Sequence, residues 1–440
     1  MKYQEITMQT PEHKIIIVGG GAGGLELAAK LGRKFGPRHI FLVDTGVFHI
    51  WKPSLHEVAS GTLDIHREGL SYAMLAKDHG FTFVPGEMDG INREARSIHV
   101  KAVLSEGEEV FAERDLTYDT LVIAVGSRSN FFNTPGAEEY ATALDSTEQA
   151  EKFRLKFLRE LIAADQRKKN NPDQSLNIAI VGGGATGVEL SAELLEAGKD
   201  LGFYGINELN PERDIHITLL EGSARILAAL PEKTSAAATR LLSQRGVTVK
   251  TSVLVSSVQE KSLTDSNGNT YPADLTVWAA GIKAPVFLTQ LGLETNKINQ
   301  LVADRTLRTS DPAIYAMGDC AQVDWEEGRY LPARAQVAHQ QADYLVGQLS
   351  DRIKGTPTDN KPFVFKDYGS LVSVGHNKGV GSLMGVLTGK SLFVEGLLAR
   401  LMYMSLHLMH HMAILGIART GSVALGRLLL KRSTPRVKLH

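Results

Sequence analysis

The chain has 440 residues, 43% of them hydrophobic and 22% charged, an ordinary globular balance with length for two or three folding units. Its 48 basic and 49 acidic residues nearly cancel, which gives no reason to expect a nucleic-acid partner. A single cysteine, Cys320, excludes an internal disulfide and any dithiol redox pair, and it fits a reducing compartment.

Residues 1–13 are polar and lack an apolar run, so they read as a short tail rather than a secretory signal. Ile15 to Val18 is a β-branched run. It is followed by Gly19-Gly20-Gly21-Ala22-Gly23-Gly24 and a helix-forming stretch from Leu25 to Lys34. Ile40 to Asp44 is a second strand candidate, ending in an acid. Tyr118 to Gly126 is a third, closing on the small residues Ala124 and Gly126. Phe153 to Asn171 has a charged, helical pattern, and Asn170-Asn171-Pro172-Asp173 marks a crossover.

The same order then repeats. Ile178 to Val181 leads into Gly182-Gly183-Gly184-Ala185-Thr186-Gly187 and a helical stretch from Val188 to Ala197. Ile217 to Glu221 again ends in an acid, and Ala273 to Gly281 again ends in small residues, Ala280 and Gly281. Continuous apolar runs flanked by helices read as buried parallel strands. The repetition is a duplication of domains, not a short solenoid repeat. Around Lys297 to Asp311 the chain crosses back. The expected fold is α/β, with two Rossmann-like dinucleotide-binding domains, the second inserted in the first. Residues 14–170 and 297–390 make one domain, 171–296 the other, and 391–440 follow as a C-terminal segment.

A G-x-G-x-x-G turn between strand and helix works by removing side chains. The first glycine permits the tight turn, the second lets backbone approach a pyrophosphate, and the third lets helix and strand pack closely. The helix N-terminus then offers N–H groups and partial positive charge to the phosphates. Gly19, Gly21 and Gly24 meet this pattern, and so do Gly182, Gly184 and Gly187. Asp44 stands where an acid accepts bonds from a ribose hydroxyl. Glu221 lies further on than usual, because Lys199 to Asp214 lengthens the intervening loop. An acid there favours an unphosphorylated ribose, hence NADH over NADPH, although Arg225 close by offers a cation that reads a phosphate.

Ala316-Met317-Gly318-Asp319-Cys320-Ala321 resembles the late G-D motif of the two-dinucleotide-binding flavoproteins. His49-Ile50-Trp51-Lys52-Pro53-Ser54-Leu55-His56-Glu57-Val58-Ala59-Ser60-Gly61 looks like the corresponding stretch of bacterial type II NADH:quinone oxidoreductases. Ala335-Gln336-Val337-Ala338-His339-Gln340 is similar to their A-Q-x-A-x-Q motif, and Val188-Glu189 after the second loop also fits. The resemblance runs from about Lys14 to the C-terminus, with its motifs in order.

That resemblance implies an FAD-dependent NADH dehydrogenase that reduces a membrane quinone without pumping protons. It assigns Gly19, Gly21, Ala22, Gly23, Gly24, Asp44, Lys52, Ala124, Gly126, Asp319, Ala335 and Gln336 to FAD. It assigns Gly182, Gly184, Thr186, Gly187, Glu189, Glu221, Ala280 and Gly281 to NADH. Because the cofactors carry the difficult chemistry, few protein groups are expected to act directly. Glu189 is a candidate for handling charge near the rings; the plainer alternative is a helix-start carboxylate that complements the dipole. Gln336 and Gln340 lie four apart on one helix face, set to hydrogen-bond quinone oxygens or simply to make a polar face. Lys52 is read either as a stabiliser of reduced-flavin charge or as a solvated loop lysine, and Lys378 is a weaker candidate of the same sort. No D-x-D-x-D-G loop with a terminal glutamate is present, so no metal is expected. The sole cysteine reads as a small packing residue, which sets aside disulfide-reductase and sulfide:quinone chemistry.

From Ser391 onward Arg400, Arg419, Arg427, Lys431, Arg432, Arg436 and Lys438 face one acid, Glu395. Leu401 to Ala418 lacks Asp, Glu, Lys and Arg and, at about 18 residues, is a borderline spanning candidate. Its histidines and flanking arginines argue instead for a helix lying in the interface, with Val423 to Leu430 and the basic tail meeting anionic headgroups. Burial between two copies of the chain is the other reading. The resemblance implies a homodimer, peripheral on the cytoplasmic face of the cell membrane. Two rival functions stand beside it: a soluble NADH-dependent reductase of a ferredoxin or rubredoxin partner, and an NADH-sensing flavoprotein.

Overall fold

The computed structural model describes residues 13–199, 206, 208–326, 328–375, 379–384 and 391–430. Lys378, most of the N-terminal tail and the basic residues from Lys431 onward lie outside the described residues.

In chain order the elements used below are β1 (Ile15–Val18), α1 (Ala22–Phe35), β2 (Ile40–Asp44), α2 (Leu55–Ser60), α3 (Tyr72–His79), β3 (Thr82–Pro85), β4 (Thr120–Ile123), β5 (Ala141–Ala143) and α4 (Thr147–Lys168). They continue with β6 (Leu176–Val181), α5 (Ala185–Lys199), β7 (Ile215–Leu220), β8 (Val247–Lys250), β9 (Leu275–Trp278), β10 (Ile314–Ala316), α6 (Ala335–Lys354), β11 (Gly369–Ser373), β12 (Gly379–Met384), β13 (Ser391–Gly396), α7 (Leu397–Leu415) and α8 (Ile417–Leu430).

Two compact units result. The first takes residues up to His49, Gly69–Arg128 and Lys283–Phe365; the second takes Ile50–Glu68, Ser129–Ile282 and the chain from Lys366. The first is built on a five-stranded sheet in the order β10-β4-β1-β2-β3, every pairing parallel. The second repeats the plan as β5-β9-β6-β7-β8, again parallel throughout. In each, the central strand (β1 or β6) runs into a glycine loop and then a helix. A parallel sheet covered on both faces needs strands apolar on both sides, and Ile15-Ile16-Ile17-Val18 is buried throughout. Ligands in such sheets bind beyond the carboxyl ends of the strands, where both glycine loops lie.

The second unit adds an antiparallel sheet, β11-β12-β13, which leads into α7 and α8. Gly416, at φ +80°, separates the two helices. Among the described residues no helix is long and apolar enough to cross a membrane. The spanning alternative for Leu401 to Ala418 thus gives way to two shorter helices broken at that glycine. His410 and His411 are buried, together with Ala399, Tyr403 and Ile414, while Leu397, Leu398, Leu401, Met404, Met409 and Met412 are exposed.

Candidate functional site

The first loop has the shape its glycines require. Gly19 sits at φ +105°, and a Cβ there would meet the Ala124 carbonyl; one on Gly24 would meet the Gly19 carbonyl. A Cβ on Gly21 would meet nothing within 4 Å, so this backbone lies open to a ligand. α1 begins at Ala22 with no side chain capping it, which leaves its first N–H groups, those of Ala22, Gly23 and Gly24, for an anion. Gly23 packs towards Met317 and Ala338. Asp44 fastens the loop: its Oδ2 accepts the Gly20 N–H at 2.6 Å and its Oδ1 the Gly46 N–H at 2.8 Å. At the other end of the same residue, the Tyr72 hydroxyl donates to the Gly20 carbonyl at 2.7 Å, and His49 Nδ1 lies 2.9 Å from it. Sequence reasoning gave neither residue this role: His49 stood in the quoted motif without any sign of its partner, and only the chain's return through α3 brings Tyr72 there.

The second loop repeats the device. Gly182 sits at φ +111°, with its Cβ position 2.6 Å from the Ala279 carbonyl carbon, and Gly187 is pressed on the Gly182 carbonyl. Gly184, like Gly21, has open space where a Cβ would stand, and Thr186 is exposed in the first turn of α5. Glu221 Oε2 accepts the Gly183 N–H at 2.6 Å, and its Oε1 accepts the Ser223 N–H at 2.7 Å. Arg225 donates to the carbonyls of Leu227, Ala228 and Leu230, so its guanidinium is engaged with backbone. Ala280 accepts from the Trp278 indole at 3.1 Å, and Gly281, at φ +66°, lies against the Phe132 ring.

Asp319 follows β10 in the first unit. Ser127 Oγ donates to its Oδ2 at 2.8 Å, and Gln300 donates to its carbonyl at 2.9 Å. Ala124 and Gly126, the latter at φ +69°, follow directly on β4. Ala335 opens α6, and Gln336 and Gln340 follow on its first turns, both half-buried. A charged clasp ties α6 to α1: His339 Nδ1 lies 2.7 Å from Glu26 Oε2, and Lys30 bridges Glu26 and Asp343. Glu26, His339 and Asp343 converge closely enough to hold a metal ion, but the Lys30 ammonium already supplies the positive charge. The first unit therefore gathers both the first loop and the glutamine helix. Lys52 falls in the second unit, exposed at the start of a short 3₁₀ turn, Lys52–Ser54.

Glu189, one turn into α5, is only 5% exposed. Its Oε1 accepts the Ser373 N–H at 3.2 Å, and its Oε2 lies 3.5 Å from His56 Nδ1. The Tyr403 phenol also hydrogen-bonds its carboxylate. Burial pushes this carboxyl up to about 8, with Glu57 and Glu193 adding repulsion. That environment is more than a dipole complement at a helix start. His56 was visible in the quoted motif without any sign of its partner, and Tyr403 gave no signal within an apolar helix. Cys320 is fully buried, and burial pushes its thiol up to about 12, which removes it from nucleophilic chemistry.

Residues 13–342 match the family model described as pyridine nucleotide-disulphide oxidoreductase. A type II NADH:quinone oxidoreductase of Haemophilus influenzae is 40% identical over 444 residues, which covers 97% of this chain and 99% of that one. A demethylphylloquinone reductase of Synechocystis is 30% identical over 381 residues, 85% of this chain and 87% of its own. Among solved structures, the NADH-bound NDH2 of Plasmodium falciparum matches with a TM-score of 0.78 at 21% identity, covering 97% of this chain and 100% of the other. At that identity the likeness is one of fold.

Proposed function

The chain belongs to the pyridine nucleotide-disulphide oxidoreductase family and, within it, to the type II NADH:quinone oxidoreductases, and from that premise we propose that its two glycine loops serve one reaction. It is an FAD-dependent NADH dehydrogenase that reduces a quinone to a quinol without pumping protons. The sum is NADH + H⁺ + quinone → NAD⁺ + quinol, so one proton is drawn from water. FAD, when bound, would supply the two-electron chemistry between nicotinamide and quinone.

The observation that carries this reading is the pair of phosphate-ready loops, one in each unit, with open backbone at Gly21 and Gly184 and an acid fastening each. The protein's part is to bind and orient. Around FAD, the first loop with Ala22, Gly23 and Asp44 holds the adenosine pyrophosphate end, Ala124 and Gly126 border it, and Asp319 takes the ribityl hydroxyls. Ala335, Gln336 and Gln340 on α6 serve the flavin and the quinone oxygens, and Lys52 offers positive charge. Around NADH, Gly182, Gly184, Thr186 and Gly187 hold the pyrophosphate, and Glu221 takes the ribose hydroxyls. Ala280 and Gly281 line its path, and Glu189 holds a proton. The engaged guanidinium of Arg225 supports NADH over NADPH.

The exposed Leu397, Leu398, Leu401, Met404 and Ile417 support a further part of the proposal: that α7 and α8 rest on a lipid surface, where a membrane quinone is confined. The resemblance adds a homodimer and the cytoplasmic face of the cell membrane. One assay tests the core: purified protein, its bound flavin identified, oxidising NADH or NADPH with and without a short-chain quinone. Quinone-dependent NADH oxidation is expected. Activity only with an added ferredoxin or rubredoxin, or none with either acceptor, would reject it. Replacing Leu398, Leu401 and Met404 by serine should reduce sedimentation with anionic vesicles and leave the short-chain quinone activity in place.

A further inference from the structure

Four elements of the second unit converge on one carboxylate. α5 carries Glu189 and Glu193, α2 carries His56 and Glu57, β11 presents the Ser373 N–H, and α7 reaches in with Tyr403. Leu55, Val58 and Ala59 of α2, Val188 and Leu190 of α5 and Val372 of β11, from the same elements, belong to one apolar cluster. In such surroundings an ionised carboxylate is costly, and each donor aimed at it decides how costly. The Tyr403 phenol, almost wholly enclosed and itself held well above its usual range by burial and the neighbouring acids, remains a donor at every pH of interest. His56 faces the other carboxylate oxygen. Glu57 and Glu193 oppose ionisation, and Thr62 donates to Glu193 at 3.3 Å.

We propose that Tyr403 and His56 are positioning residues for Glu189, and that through them α7 and α2 set the pH at which this acid gives up its proton. The inference rests on the reading of Glu189 as the acid near the reacting rings. It adds the two residues that govern it, one of them on the helix whose outward side shows Leu401 and Met404. The proton affinity of the acid is thereby tied to the helix offered to lipid.

The test uses the full-length, FAD-loaded protein, with kcat for NADH and a short-chain quinone measured from about pH 6 to about pH 9.5. The wild type is expected to show a limb near 8, where burial places Glu189. Glu189→Gln removes the limb. Tyr403→Phe takes away a donor to the carboxylate, so the limb moves to higher pH by about half a unit to one unit. His56→Leu removes the imidazole that faces Oε2 and moves it the same way. Flavin content and the KM for NADH, measured alongside, separate this from a damaged fold. If Glu189→Gln flattens the limb while both other variants leave it in place, the inference is wrong. If Glu189→Gln keeps the limb, the reading of Glu189 is wrong, and the inference goes with it.

Discussion

Glu221 accepts the backbone N–H of Gly183 at 2.6 Å, and the same bond, at the same length, joins Asp44 to Gly20 in the other unit. In both loops the acid at the end of the second strand does two jobs. It fastens the loop peptide, and it keeps carboxylate lone pairs for a ribose. A 2′-phosphate would meet that carboxylate as a like charge. The wild type is therefore expected to favour NADH over NADPH, and Glu221→Gln to narrow the ratio of their kcat/KM values by about tenfold. An unchanged ratio would show that selectivity lies elsewhere.

Gly24 and Gly187 separate the two loops experimentally. An alanine at either position drives a Cβ into the carbonyl of Gly19 or Gly182. Gly24→Ala should purify with little flavin. Gly187→Ala should keep its flavin spectrum and lose NADH affinity, seen as a KM raised about tenfold or more. Flavin loss in both variants would contradict the division of labour.

Tyr72 is buried and donates to the Gly20 carbonyl. Tyr72→Phe removes one hydrogen bond from the loop without changing its shape, a loss of about 1 kcal/mol. FAD affinity, measured by titrating apoprotein, should fall about fivefold. No change would mean that Asp44 and His49 hold the loop unaided.

His339 has its pKa raised, chiefly by its hydrogen bond with Glu26. A raised imidazole stabilises the fold fully below the unfolded value of 6.5, and that contribution is lost as pH rises through the folded value. Glu189, raised to about 8, acts in the same direction, disfavouring the fold as pH climbs from its unfolded value of 4.5. Thermal stability should therefore decline as pH rises from 6.5, where both groups contribute, towards about 8, and less steeply in His339→Gln and in Glu189→Gln. Equal slopes in all three proteins would rule out both groups as the source.

Cys320, enclosed and held protonated, should resist alkylation at neutral pH in the native protein and react as one thiol in denaturant. Cys320→Ala should retain quinone-dependent activity. Rapid labelling of the native protein would overturn the packing role.

Much of this was legible in the chain because glycine leaves a signature. Gly19, Gly24, Gly182 and Gly187 are required by backbone geometry, and each loop is followed by an acid at the end of the next strand, at the usual spacing for Asp44 and beyond a lengthened loop for Glu221. The β-branched runs named their own strands, and β2 coincides with the stretch read from sequence, Ile40–Asp44. Local pattern was a poorer guide in the C-terminal segment. There the histidines and flanking arginines suggested a helix in the interface without saying which side would be covered; His410 and His411 turn inward, and leucines and methionines turn out. Composition alone does not say which side of a helix the rest of the unit will cover.

The sequence by itself determined the two dinucleotide loops, the acids that follow them and the exclusion of thiol chemistry, because each depends on residues close together or on a count. Only tertiary structure decided what surrounds those residues. It brought Tyr72 to Gly20, tied up Arg225 with carbonyls, and enclosed Glu189 between Ser373, His56 and Tyr403. The physical reason is that proton affinity and hydrogen bonding depend on distance and desolvation, and Tyr403 stands more than two hundred positions along the chain from the acid it touches.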